Sequence, residues 1–122
     1  MMGPDAPSTQ PQRTDGPLGA AITKAVVGVF HDYTGRGPTK ARTVLNENMV
    51  HVLLEDTMTI GESQLATGGN EEFVLEMRRK FQRTMRDDLV AIVEHLTNRN
   101  VVAFMSDNTL EPDMALESFV LE

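Results

Sequence analysis

The sequence predicts an α+β fold, an αββ(α)αββ chain whose helices pack on one face of a mainly antiparallel four-stranded sheet. Three observations carry this prediction. The stretch from Asn70 to Thr97 keeps apolar residues at helical spacing over its whole length. Two pairs of segments rich in branched and aromatic residues flank it, one pair on each side. A second helical stripe opens the patterned part of the chain. Helices laid on one face of the sheet bury both kinds of pattern at once.

Residues 1–17 hold Pro4, Pro7, Pro11 and Pro17 among Gly, Ser, Thr, Gln and Asp, with little apolar surface to offset the entropy of ordering. They are expected to form a disordered tail, leaving 18–122 as one domain. From Leu18, the apolar residues Ala21, Ile22, Ala25, Val26, Val29 and Phe30 recur at three and four, which describes a helix to about Tyr33. It should stop at Thr34-Gly35-Arg36-Gly37-Pro38, where Gly takes a left-handed position and Pro38 cannot continue the helix. Ala41 to Asn46 and Met49 to Glu55, joined through Asn46-Glu47-Asn48, read as a hairpin with Val50, Val52 and Leu54 on one face. Thr59-Ile60-Gly61-Glu62 has capping-box spacing and predicts a short helix through Leu65, ended by Gly68-Gly69. The long helix follows, with Phe73, Val74, Met77, Phe81, Met85, Leu89, Ile92, Val93 and Leu96 as its stripe. Asn98 or Asn100 supplies a left-handed turn, and Val101 to Met105 and Met114 to Leu121 form a second hairpin around Asn108 to Pro112.

Lengths then matter. A helix of roughly 26 to 28 residues spans about 40 Å, whereas strands of about six or seven residues reach only about 20 to 23 Å. The apolar overhang needs cover from the Thr59 helix, from the first helix, or from the same surface of a second copy, and a homodimer is the expected assembly.

The composition excludes several classes. A net charge of −7 and a pI near 4.9 oppose bulk attraction to nucleic acid or to an anionic membrane surface. With one Tyr and no Trp there is also little surface for base stacking. The absence of cysteine removes disulfides, thiolate metal sites and thiol nucleophiles, as suits a reducing cytosol. The opening Met1-Met2-Gly3-Pro4-Asp5 does not resemble a secretory signal, and no run approaches the roughly 18 apolar residues of a membrane span. A soluble, cytoplasmic protein is expected.

Two basic features qualify as sites. Arg36 between two glycines, with Gly37, Lys40 and Arg42 close behind, presents backbone N–H groups and cations to a phosphate or carboxylate, or else forms a helix-stop loop with solvated charges. Its spacing is not that of a P-loop. Arg78, Arg79, Lys80, Arg83 and Arg86 form the one dense basic cluster, and Arg79, Arg83 and Arg86 line one helical stripe. That stripe is either a self-paired solvated face or a surface for an acidic partner. His31, His51 and His95 show no metal-ligand spacing, and Ser63, Ser106 and Ser118 lack nucleophile-elbow surroundings. Glu71-Glu72 and Asp87-Asp88 point in different directions on a helix. No catalytic group, metal site or cofactor is expected. Met49, Met77, Met85, Met105 and Met114 suit either a core or an adaptable partner groove.

One set of ordered motifs resembles the MpsC-type bacterial family. It comprises Gly35 to Pro38, Thr59 to Glu62, Gly68-Gly69, Arg78 to Phe81, Thr97 and Arg99 before Val101-Val102, Ser106-Asp107, Asp113 and Glu117 to Leu121. The resemblance spans about 18–122. It departs at Asn98, where the family's turn is expected to carry Gly; Asn tolerates the left-handed conformation. The resemblance implies a small accessory protein linked to a bacterial membrane system described as cation-translocating or as supplying inorganic carbon, with no catalytic residues to carry over. A non-enzymatic interaction protein that docks on membrane-system subunits through Arg79, Arg83 and Arg86 is therefore the leading expectation. A regulatory domain that binds an anionic ligand at the Gly35–Arg42 loop is the alternative.

Overall fold

The computed structural model of the chain describes residues 10–11 and 16–122. Its elements are β1 (Gln10–Pro11), α1 (Gly16–Thr34), β2 (Lys40–Asn46), β3 (Met49–Glu55), α2 (Ile60–Thr67), α3 (Glu71–Thr97), β4 (Val101–Leu110) and β5 (Asp113–Leu121). β2, β3, β5 and β4 pair antiparallel in that spatial order, and β1 adds a two-residue parallel edge beside β2. The fold is the expected α+β arrangement. Most of the expected tail lies outside the described residues; of 1–17, Gln10–Pro11 form β1 and Gly16–Pro17 open α1.

Alternation decides which face of the sheet is covered. Ala41 and Thr43 of β2, Val50, Val52 and Leu54 of β3, and Ala115, Phe119 and Leu121 of β5 point inward and are buried. Ile22, Val26, Val29 and Phe30 of α1 and Met85, Leu89 and Val93 of α3 close over them in one core. Thr23 and Thr43, buried between α1 and β2, satisfy one another through a 2.7 Å hydrogen bond. Phe104 packs on Phe119 with ring centroids 5.0 Å apart.

The helix ends follow local chemistry. Gly35 adopts φ +78° and its N–H donates to the His31 carbonyl, closing α1. Thr59 and Glu62 form the reciprocal capping box, with bonds of 3.1 and 2.9 Å. α3 runs unbroken through 27 residues and ends at Asn98 in the left-handed conformation, φ 57°, so Asn does serve where Gly was expected.

The second hairpin departs from expectation. β4 has ten residues and β5 nine, with only Glu111–Pro112 between them, because Ser106 to Leu110 continue the strand rather than turn. At ~3.3 Å per residue these strands reach about 30 Å or more, so α3 outruns the sheet by much less than anticipated. What remains is covered within the chain, since α1 and α2 both pack against α3. Phe73, in the first turn, is the stripe member left open, at 56% exposed. The helix by itself therefore gives no reason for a second copy.

Candidate functional site

The same helix carries an unexpected interior. Arg78 and Gln82 are 7% and 4% exposed, because both lie on the buried stripe that runs Val74, Arg78, Gln82, Met85, Leu89, Val93. Arg78 thus leaves the solvated cluster in which its sequence neighbours place it. Facing these residues from β4 and β5 are Asn108 and the wholly buried Glu117. Gln82 and Asn108 form a paired amide contact: Asn108 Nδ2 donates to Gln82 Oε1 at 2.7 Å and Gln82 Nε2 donates to Asn108 Oδ1 at 3.2 Å. Gln82 Nε2 also donates to Glu117 Oε2 at 2.8 Å, and Arg78 Nη1 to Asn108 Oδ1 at 3.3 Å.

Two carboxylates flank the guanidinium. Glu62 Oε1 lies 3.7 Å and Asp113 Oδ1 3.9 Å from Arg78 Nη2. Each is also a local anchor. Glu62 closes the α2 capping box, while Asp113 accepts from Thr57 Oγ1 and from the Met58 N–H, both at 2.9 Å. Arg78 therefore ties the cap of α2, the loop after β3 and the start of β5 to one point on α3. A cavity of about 20 Å³, roughly one water molecule in size, lies among Thr57, Glu62, Arg78, Gln82 and Asn108.

Burial pushes the Glu117 carboxyl from its usual 4.5 up to about 8. The hydrogen bond from Gln82, the neighbouring Ser106 hydroxyl and the Arg78 charge pull the other way without overcoming it. Oε1 has no hydrogen-bond partner among the described residues, so an ionised carboxylate would lack the compensation that burial demands. Burial thus favours the neutral form of Glu117 in the middle of a helix–sheet seam.

Outside this network lies an open cleft of about 290 Å³ lined by Arg79, Arg83, Arg86, Gln82, Phe104 and Ser106. The sequence-derived trio Arg79, Arg83 and Arg86 is thus brought together on one wall, facing β4. Arg86 reaches Asp87 at 3.3 Å with both side chains exposed; Arg79 and Arg83 have no ion pair among the described residues. Gln82 lines both the cleft and the inner cavity.

The Gly35–Arg42 set is not brought together. Arg36 Nη1 donates to the carbonyls of Asp56 and Met58 at 2.6 and 3.0 Å, and Nη2 pairs with Asp56 at 3.1 Å. Its guanidinium is thereby used to fasten the loop after β3. Gly37 is buried, and Lys40 and Arg42 stand on the outer face of β2, away from the helices. His31 and His95 are exposed at helix ends, and His51 Nδ1 lies 3.0 Å from Ser118 Oγ. Among the described residues, no three His, Asp or Glu side chains gather as a metal site.

The chain is thus a small α+β protein with helices on one face of its sheet, a buried polar seam beneath α3 and an arginine-lined cleft beside it. It belongs to the family described as Na+-translocating membrane potential-generating system (MpsC), whose model matches residues 14–122. No curated protein and no solved structure matches the chain. No helix among the described residues is long and apolar enough to cross a membrane. Several residues that carry the family resemblance, namely Glu62, Arg78, Ser106, Asp113 and Glu117, converge on the buried seam although they span much of the chain.

Proposed function

We propose that this protein is a non-enzymatic accessory subunit of such a membrane system, located on its cytoplasmic side and docked through Arg79, Arg83 and Arg86 to an acidic segment of a membrane subunit. The observation that carries the reading is the cleft itself. Three guanidinium groups line one wall on a chain of net charge −7, and Arg79 and Arg83 have no carboxylate partner among the described residues. Three like charges held along one helix repel each other, and an incoming carboxylate relieves that repulsion with bidentate geometry that arginine suits. Phe104 gives the cleft an apolar floor on which a flanking side chain can rest. Glu117 is badly placed for catalysis, because a wholly enclosed carboxyl bound to Gln82 is shut off from a substrate.

The test is binding of the full chain to membranes from cells that make the transport system and from cells that lack it. Retention is expected only on the former, weakening as salt rises, and is expected to vanish in the Arg79→Glu, Arg83→Glu, Arg86→Glu triple variant. Equal retention of the triple variant would overturn the assignment of the cleft.

A further inference from the structure

The sheet turns one face to the helices, and among the described residues no element covers the other. The pairing registers place cross-strand rows on this outer face. One row runs Arg42, Leu53, Leu116, Asp107 from the β2 edge to the β4 edge. It has a cation at one end, two leucines in the middle and an anion at the other end. The next row runs Val44, His51, Ser118, Met105, with Val44 and Met105 44% and 56% exposed. Its central polar pair is closed within the sheet by the His51–Ser118 contact of 3.0 Å. Neither Arg42 nor Asp107 forms an ion pair among the described residues. Leu116 is 40% exposed, a large apolar side chain at the centre of an open face.

We propose that two copies of the chain stack through this outer sheet face about a two-fold axis parallel to β3 and β5. Such an axis reverses each row onto itself. Arg42 of one copy then faces Asp107 of the other, Leu53 faces Leu116, and Val44 faces Met105. These two rows are their own complements under that operation, and the opposite charges at the two ends of the first favour a second copy as the occupant; the row Lys40, Glu55, Met114, Thr109, where the same operation sets Glu55 beside Met114, lies at the rim of the patch. The seven paired positions of β3 and the four strand widths define a patch of ~19 by ~23 Å, so two copies bury on the order of 1,000 Å² once corrugation is counted. That is the lower end of specific interfaces, the range of weak and transient contacts, so the dimer is expected to dissociate on dilution. The face lies across the sheet from the arginine cleft, so docking and dimerisation can coexist, and failure of one leaves the other intact.

Sedimentation velocity of the full chain across the micromolar range tests the proposal. The mass is expected to rise from one chain to two. Asp107→Arg and Arg42→Asp each set like charges opposite one another twice per dimer and are expected to weaken association about tenfold or more. Combining the two exchanges the ends of the row and is expected to restore association, while Leu116→Glu abolishes it. Both charged positions are exposed, and unfolding curves of each variant separate lost folding from lost association. A single-chain mass throughout would overturn the proposal. So would a dimer indifferent to the single reversals, or a double variant as weak as either single.

Discussion

Replacing Glu117 by Gln gives the sharpest test of the buried seam, because the outcome has a sign as well as a size. Below its ordinary pKa of 4.5 the carboxyl is protonated in both folded and unfolded chains, and the substitution exchanges one neutral group for another of similar shape. Between 4.5 and about 8 the unfolded chain has lost a proton that the folded chain keeps, so stability falls as pH rises. The slope from this one group approaches ~1.4 kcal/mol per pH unit and vanishes above about 8, where both states are ionised. From pH ~5 to ~7 the wild type should therefore lose about 2.5 kcal/mol that Glu117→Gln does not lose. Urea unfolding followed by circular dichroism at a series of pH values measures both, and the difference between the two curves cancels the three histidines and every other shared group. Glu117→Gln should match the wild type near pH 4.5 and exceed it increasingly toward pH 7. Parallel curves across that interval would mean that Glu117 is ionised in the folded protein and that the neutral seam is wrong.

Two further perturbations bear on the same framework. Asp113→Ala removes the acceptor of Thr57 Oγ1 and the Met58 N–H and one of the two carboxylates beside Arg78; a loss of about 2–3 kcal/mol in urea unfolding is expected, and a loss near zero would show that Arg78 is held from elsewhere. Arg36→Ala frees the Asp56 and Met58 carbonyls at a cost of about 1 kcal/mol, and phosphate titrated into the wild type should leave the amide NMR signals of Gly35 to Arg42 unmoved, because the guanidinium is already engaged. Saturating shifts in that loop would restore it as an anion site.

What the sequence made legible, and what it hid, has one physical origin. The long helix is legible to within a residue because apolar residues recur at helical spacing from Phe73 to Leu96 and because Asn98 is among the few residues at ease in the left-handed conformation. The first hairpin followed from clean alternation in Val50, Val52 and Leu54. Pattern reading assumes that inward positions are apolar, and the seam breaks that assumption on both of its walls. Ser106 and Asn108 face inward from β4, so their polar run reads as a turn and the pattern alone ends the strand at Met105. Arg78 and Gln82 face inward from α3, where the pattern alone groups Arg78 with the solvated arginines. A signal existed in each case: Gln82 lies four residues after Arg78 and three before Met85, and Glu117 sits between the inward Ala115 and Phe119 of one alternation. The longer strand and the buried site therefore share one cause, polar groups that solvate one another inside the core. Its consequence reaches the assembly. Once β4 runs on through the polar seam, the sheet supports most of α3, and the open large side chains Val44, Met105 and Leu116 lie on the other side of the sheet rather than along the helix.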